Sequence, residues 1–205
     1  MTPEITVNIH SSIRIANGTK VIRIDPFKID GTPHDADLIF ITHDHYDHFS
    51  PEDISKVCKP ETLFIAPKNM QKKLAGKNAV LLSPGDSAEV EGIPVEAVAA
   101  YNILKPFHPK GCGNLGYVIT MEGQRIYAAG DTDAVKEVKA VVCDIALVPI
   151  GGTYTMNPKE AAAAVNEICP KTVIPIHYGT IAGKSSDGGK FRDLVNEGIE
   201  VRLLL

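Results

Sequence analysis

Residues 42–48 read Thr42-His43-Asp44-His45-Tyr46-Asp47-His48, with three histidines and two aspartates in seven positions. They follow Asp37-Leu38-Ile39-Phe40-Ile41, a run rich in β-branched and aromatic side chains that has the character of a buried strand. Next comes Ser50-Pro51-Glu52-Asp53, a capping serine, a proline at the first helical position and acids in the first turn. The cluster is therefore expected on a loop that leaves the C-terminal end of a strand and enters a helix, where open α/β sheets place ligand sites.

The spacing carries the chemistry. In an extended segment His43 and His45 point the same way, so two imidazoles meet one cation. Asp47 and His48 follow after the chain turns and reach a second cation beside the first. Neutral imidazole and carboxylate suit zinc, iron, nickel and manganese. Asp44 and Tyr46 face the other way, as candidates for holding a ligand in place or touching substrate. A solvated loop with a chance cluster of histidines is the weaker competing reading.

This H-x-H-x-D-H pattern after a strand resembles the signature of the metallo-β-lactamase superfamily. Two further stretches agree with it in order. Tyr127-Ala128-Ala129-Gly130-Asp131-Thr132 is a strand ending in Gly-Asp-Thr, and Val173-Ile174-Pro175-Ile176-His177-Tyr178-Gly179 is a strand ending in a histidine. Ile24-Asp25-Pro26 adds an aspartate near the start that either steadies a metal-bound histidine or is simply a turn residue before proline. The resemblance implies an α+β fold, the αββα four-layer sandwich, over residues 1–205 as one domain, closest to the lactonase-like and phospholipase D-like small branches. It assigns His43 and His45 to a first metal, Asp47, His48 and His177 to a second, and Asp131 to a bridge between them. Two divalent ions are implied, zinc first, with manganese, iron or nickel as alternatives. A metal-bound hydroxide would then attack a small anionic ester, lactone or phosphodiester. For a spare acid or base the order is Asp47, His10, Tyr178. Relatives in several branches carry a histidine like His10 near the substrate pocket, although a lone histidine at a strand end is more often a turn residue.

The stretch around residues 99–110 departs from the family pattern. The superfamily supplies a third histidine to its first metal near here, yet the chain reads Ala99-Ala100-Tyr101-Asn102 and has no histidine before His108. Three accounts compete: His108 folds back to ligate, Asn102 offers its amide oxygen, or the first metal is loosely held. His108 is favoured, because imidazole binds mid-row divalent metals better than a neutral amide does. Lys105, His108 and Lys110 share this loop with no acid, so it is either a contact for an anionic substrate group or a solvated loop. Two alternatives to the small-substrate hydrolase stand beside it: a nucleotide or RNA phosphodiesterase, and a non-catalytic metal- or ligand-binding protein whose first site has decayed. The same ligand set also serves redox iron.

Composition narrows the class. The 205 residues are 44% apolar and 22% charged with a formal charge of −4, ordinary for a globular protein and unlike one that binds nucleic acid by bulk electrostatics. Four cysteines (Cys58, Cys112, Cys143, Cys169) are scattered without a C-x-x-C pair, as in a cytoplasmic protein with reduced thiols. Neither a secretory pattern nor an apolar run of membrane-spanning length is expected. No nucleotide-binding glycine motif occurs. The expected partner is a small-molecule substrate, and the resemblance adds homo-oligomerisation without pointing to an interface.

Periodicity and turn residues predict strands over residues 5–9, 12–15 and 20–24, with Asn17-Gly18 as a hairpin turn. Further strands are expected over 63–66, 79–82, 87–91, 93–99, 116–121, 124–129, 144–150, 172–176 and 198–203. Helices are expected over 51–57, 67–74, 133–138 with Thr132 as cap, 159–168 and 190–196. Residues 183–188 read as flexible, and the loop 151–156 as either a substrate wall, with Tyr154 and Met156 as its apolar members, or capping and turn chemistry alone.

Overall fold

The computed structural model describes residues 2–205. Two sheets lie face to face. The first has six strands in sequence order: β1 (Glu4–Ile9), β2 (Ser12–Ala16), β3 (Val21–Ile24), β4 (Ala36–Phe40), β5 (Cys58–Pro67) and β6 (Ala79–Leu82). The second has seven: β7 (Ser87–Val90), β8 (Ile93–Ala99), β9 (Leu115–Met121), β10 (Gln124–Ala128), β11 (Ile145–Pro149), β12 (Thr172–Ile176) and β13 (Glu200–Val201). Ile13, Ile15, Ile22, Leu38 and Phe40 of the first sheet meet Tyr117, Ile119, Ile126, Leu147 and Ile174 of the second in one dry layer. Helix α1 (Pro51–Val57) packs on the outer face of the first sheet, burying Ile54 and Val57 with Ile39, Ile41 and Phe64. The helices α2 (Lys136–Lys139), α3 (Pro158–Ile168) and α4 (Asp187–Arg192) cover the outer face of the second. This is the αββα sandwich that the motif implied.

Topology explains why so many strands aim at one edge. β3, β4, β5 and β6 pair in parallel, and β1 reaches the same direction through two antiparallel pairings. In the other sheet β10, β11 and β12 are parallel, and β8 matches them across antiparallel β9. The C-terminal ends of β1, β3 and β4 therefore share one sheet edge, and those of β8, β10, β11 and β12 share another. The two edges are tied together, since His177 N–H donates to His10 O (2.9 Å), Leu115 N–H to Thr42 O (3.0 Å) and the Tyr117 hydroxyl to Ile41 O (2.7 Å).

Local chemistry accounts for the element ends. Ser50 caps α1 by accepting from Asp53 N–H, and Asn157 with Glu160 makes a reciprocal capping box on α3. Gly18 adopts φ +86° in the β2–β3 turn, where Asn17 Oδ1 accepts from Thr19 and Lys20 N–H.

Four expectations need correction. The helix over 67–74 is one 3-10 turn (Lys68–Met70) followed by turns. Met70 and Leu74 are still buried on one side, but Gln71 and Lys73 N–H close onto Lys68 and Met70 O, three residues back, the tighter spacing of turns and 3-10 structure. Thr132 does not cap the next helix, because its hydroxyl oxygen accepts from Tyr101 N–H (3.2 Å) and α2 starts only at Lys136. The segment read as flexible instead opens α4, with the buried Asp187 carboxylate accepting from Lys184 N–H (2.8 Å). The last strand is two residues long, not six, pairing only with Thr172 and Val173 of β12.

Candidate metal centre

Each functional side chain stands at the end of a strand on the shared edge. The segment 42–48 leaves β4 and is not a strand itself, so His43 and His45 converge through turns, their ring centroids 4.6 Å apart. His108 comes from the loop after β8, Asp131 from the turn after β10, and His177 from the end of β12. His10 lies in the β1–β2 turn and Asp25 just beyond β3. His10, Asp25 and His177 have φ of 55°, 46° and 59°. Left-handed backbone of this kind costs a non-glycine residue about 1–2 kcal/mol, and it gathers where structure serves a site. The close fit is visible at Gly151, where an added Cβ would stand 2.4 Å from His177 O and 3.0 Å from its Nδ1.

Three sets of ligand atoms lie close enough to hold a cation: His43, His45 and His108; His10, Asp47, His48 and His177; and His43, His48 and Asp131. His108 Nε2 is 3.2 Å from His45 Nδ1. The Asp131 carboxylate sits between the first two sets. Its Oδ2 is 3.0 Å from His177 Nε2 and 3.5 Å from His108 Nε2, and its Oδ1 is 3.3 Å from His48 Nε2.

Oxygen partners orient the rings. Asp25, almost fully buried, accepts from Thr42 N–H (2.8 Å), the Thr42 hydroxyl (2.6 Å) and His48 Nδ1 (2.7 Å). With its proton given to Asp25, the Thr42 oxygen is left to accept from His43 Nδ1 at 3.0 Å. Asn102 Oδ1 accepts from both the backbone N–H (3.1 Å) and Nδ1 (3.0 Å) of His108. Three imidazoles thus have Nδ1 tied to an oxygen, the arrangement that leaves Nε2 as a lone pair for a metal. His43 Nε2, His48 Nε2, His177 Nε2 and Asp131 Oδ1 are buried without a hydrogen bond. Buried polar atoms are rarely left so. A cluster of buried imidazole and carboxylate atoms without hydrogen bonds, gathered around Asp131, fits divalent cations in donor type.

The electrostatics agree. Burial pushes His43 well below the ordinary imidazole value, with His48 adding to the effect. Burial likewise lowers His10 and His108 against the pull of Asp47 and Asp131. His48 is the exception: burial would lower it, but Asp131 and Asp25 outweigh that and hold it well above its usual range. For Asp131, burial is overcome by His177 and His48, which hold the carboxyl well below the usual carboxylate range. The negative charge that keeps a proton on His48 is charge that a cation would satisfy.

All the residues singled out from sequence meet here except some of the auxiliary ones. His10 is fully buried, its Nε2 3.1 Å from Asp47 Oδ2 and its ring 3.7 Å from that of His177, and it stands behind Asp47, off the cavity wall. Tyr178 turns its hydroxyl to Leu205 O (3.4 Å) and stays off that wall also. Asp44 is exposed and pairs with Lys73 (2.9 Å), away from the ligands. Lys105 is bound to Asp133 and Lys110 to Glu137, so the loop's cations are already paired. Met156 is part of the outer core, whereas Tyr154 does face the cavity. Phe107, next to His108, was not singled out from sequence. It faces the cavity beside Tyr154, and only its adjacency to His108 could have drawn attention to it.

Comparison with known proteins follows the same line. Residues 4–177 match the family described as "Beta-lactamase superfamily domain". A UPF0173 metal-dependent hydrolase of Thermococcus onnurineus is 34% identical over 95% of this chain and 93% of its own length. A crystal structure of a Parabacteroides distasonis protein superposes with a TM-score of 0.85 at 34% identity, covering 98% of this chain and 92% of that one. Igni18, a metallo hydrolase from Ignicoccus hospitalis, superposes with a TM-score of 0.79 at 25% identity, over 99% and 95% of the two chains. Among the described residues no helix is long and apolar enough to cross a membrane.

Proposed function

The chain belongs to the beta-lactamase superfamily and is a metal-dependent hydrolase, and from that premise we propose that it hydrolyses a small ester, lactone or phosphodiester at a pair of divalent cations. His43, His45 and His108 would hold one cation and Asp47, His48 and His177 the other, with Asp131 between them. Zinc suits this imidazole-rich set best. Two such ions would activate water and offset charge on the attacked and departing oxygens.

The chain's own groups supply the rest. Asp47 lines the cavity with its carboxyl held low: burial would raise it, but the bond from His10 and the nearby His48 prevail. It is the carboxylate placed to take a proton from incoming water, and His10 positions it from behind. Asn102 holds the His108 ring in place of donating its own oxygen to a metal, which favours a modified over a lapsed first site. Negative charge on the substrate is supported only at the reacting centre, since Lys105 and Lys110 are engaged elsewhere. The cavity of about 220 Å³ is small for a nucleotide and has no lysine or arginine in its wall, which counts against the nucleotide or RNA alternative.

The observation that carries this reading is the set of buried Nε2 atoms without partners around Asp131. It is tested by metal content per chain in protein purified without chelator, followed by a screen of lactones, esters and phosphodiesters. Two equivalents, with turnover abolished by chelator and restored by zinc, are expected. One equivalent or fewer sinks the two-metal reading, and no turnover with metal bound sinks the hydrolytic one.

A further inference from the structure

Beside the ligands lies a cavity of about 220 Å³ with two unlike walls. One wall is chemical: His45, Asp47, His108, Asp131 and His177. The other is apolar and largely aromatic: Tyr46, Phe107, Tyr154 and Ile181. The Phe107 and Tyr154 rings meet edge to face, 4.7 Å apart at 77°, and come from two different loops. Asn102 braces both walls at once, because its Nδ2 donates to Tyr154 O (3.0 Å) while its Oδ1 holds His108.

We propose that the aromatic wall is a substrate subsite that takes one uncharged aryl group, so that the chain selects aryl-bearing esters or diesters over compact or multiply charged ones. The inference rests on the hydrolytic reading for the word substrate, but the subsite itself is a binding property. Charge argues for it first. Tyr46, Phe107, Tyr154 and Ile181 carry no charge, so a charged substituent seated against them, away from the metal-ligating wall, would lose water without gaining a partner. Solvation argues second. Phe107 is 41% exposed and Tyr46 67%, so two rings at the mouth wait to be covered, and aromatic partners pack well against such edges. Size argues third, as pockets for drug-sized molecules run to about 300–1,000 Å³, and this one accommodates little more than a ring.

The test measures binding, separately from turnover, on the zinc-loaded chain. Phenylphosphonate and methylphosphonate carry the same head group and differ by the ring. Titration calorimetry should show phenylphosphonate binding about ten-fold or more tightly than methylphosphonate, from burial of one ring. In Phe107→Ala combined with Tyr154→Ala the preference should vanish while methylphosphonate affinity holds, and Leu104→Ala, fully in solvent, should change neither. Equal affinity for the two phosphonates, or a preference that persists in the double variant, overturns the subsite. A phenyl preference in a chain that hydrolyses none of the screened substrates would sustain the subsite and remove only the hydrolytic reading. Should the double variant lose its fold, Phe107→Leu and Tyr154→Leu separately keep the apolar volume, and each must then lower the preference.

Discussion

The two histidine clusters are built in different ways. His43 and His45 come from one short turn, and the His45 ring is solvent-exposed, with only His108 brought from afar. The other cluster draws His10, Asp47 and His48, and His177 from both sheets, and all four are buried. Two of its members sit on left-handed backbone, and His177 N–H is bonded to His10 O. The first cluster is thus a local loop completed by one braced side chain, whereas the second is part of how the sheets are joined. Loss of a first-cluster ligand should therefore cost metal, and loss of a second-cluster ligand should cost metal and fold together.

The widest break in this contrast is Asp131→Asn, since that carboxylate faces both clusters. Hydrolysis should drop by about 10³-fold, several kcal/mol of lost stabilisation, and elemental analysis should show both metals weakened. Retention of one full equivalent would mean that Asp131 serves a single cluster. Next, His48→Ala and His45→Ala should diverge in chelator-treated protein. Removing His48 takes the cationic partner from the buried Asp25 carboxyl and leaves it only the two Thr42 bonds, which should cost about 3 kcal/mol in urea unfolding, whereas removing exposed His45 should cost under about 0.5 kcal/mol. Equal losses would erase the distinction between a local and an integral cluster.

A smaller effect sharpens the first cluster alone. Asn102→Ala should weaken one metal by about 10- to 100-fold through the freed His108 ring, with the other unchanged in competitive chelator titration. His108→Ala should lose that metal outright. If instead Asn102→Ala is the more severe, the amide is the ligand.

The mildest effect is that of pH on the metal-free protein. His10, His43 and His108 have folded-state values pushed down, so below about 6.5, the ordinary imidazole value, the unfolded chain takes up protons that the folded chain refuses. Stability should fall as pH drops from 7 to 5. His48 works in the opposite sense, adding stability that is complete below about 6.5 and lost as pH rises through its raised folded value. Burial also raises the Asp25 carboxyl beside His48, so three groups stand against two, and the acid loss in the urea midpoint should be modest, with saturating zinc steepening it by competing with protons. A midpoint that rises from pH 7 to 5 would mean that His48 and Asp25 outweigh the three lowered rings.

Much of the architecture could be read along the chain because strands announce themselves locally. Isoleucine-rich alternation in β1–β3 and the capped helix Pro158–Ile168 needed nothing from elsewhere. The errors fell where segments were short or borrowed their partners. Residues 67–74 have helical spacing but close their bonds three residues back, and Thr132 has capping chemistry but its oxygen accepts from Tyr101 N–H instead.

For the site, the residue types at 42–48, 131 and 177 named the candidate donors and their order, because metal chemistry favours particular atoms and the strands bring these side chains to one edge. The choice between His108 and Asn102 had no such local signal. The loop from Tyr101 to Lys110 folds so that the amide turns to the imidazole, an orientation set by how that loop packs against Tyr154 and Asp131. The same holds for Lys105 and Lys110, whose carboxylate partners lie 28 and 27 residues away. A sequence states which groups are present at what spacing. Which of them spend their charge and hydrogen bonds on each other is set by distances between remote segments, and those exist only after the sheets have closed.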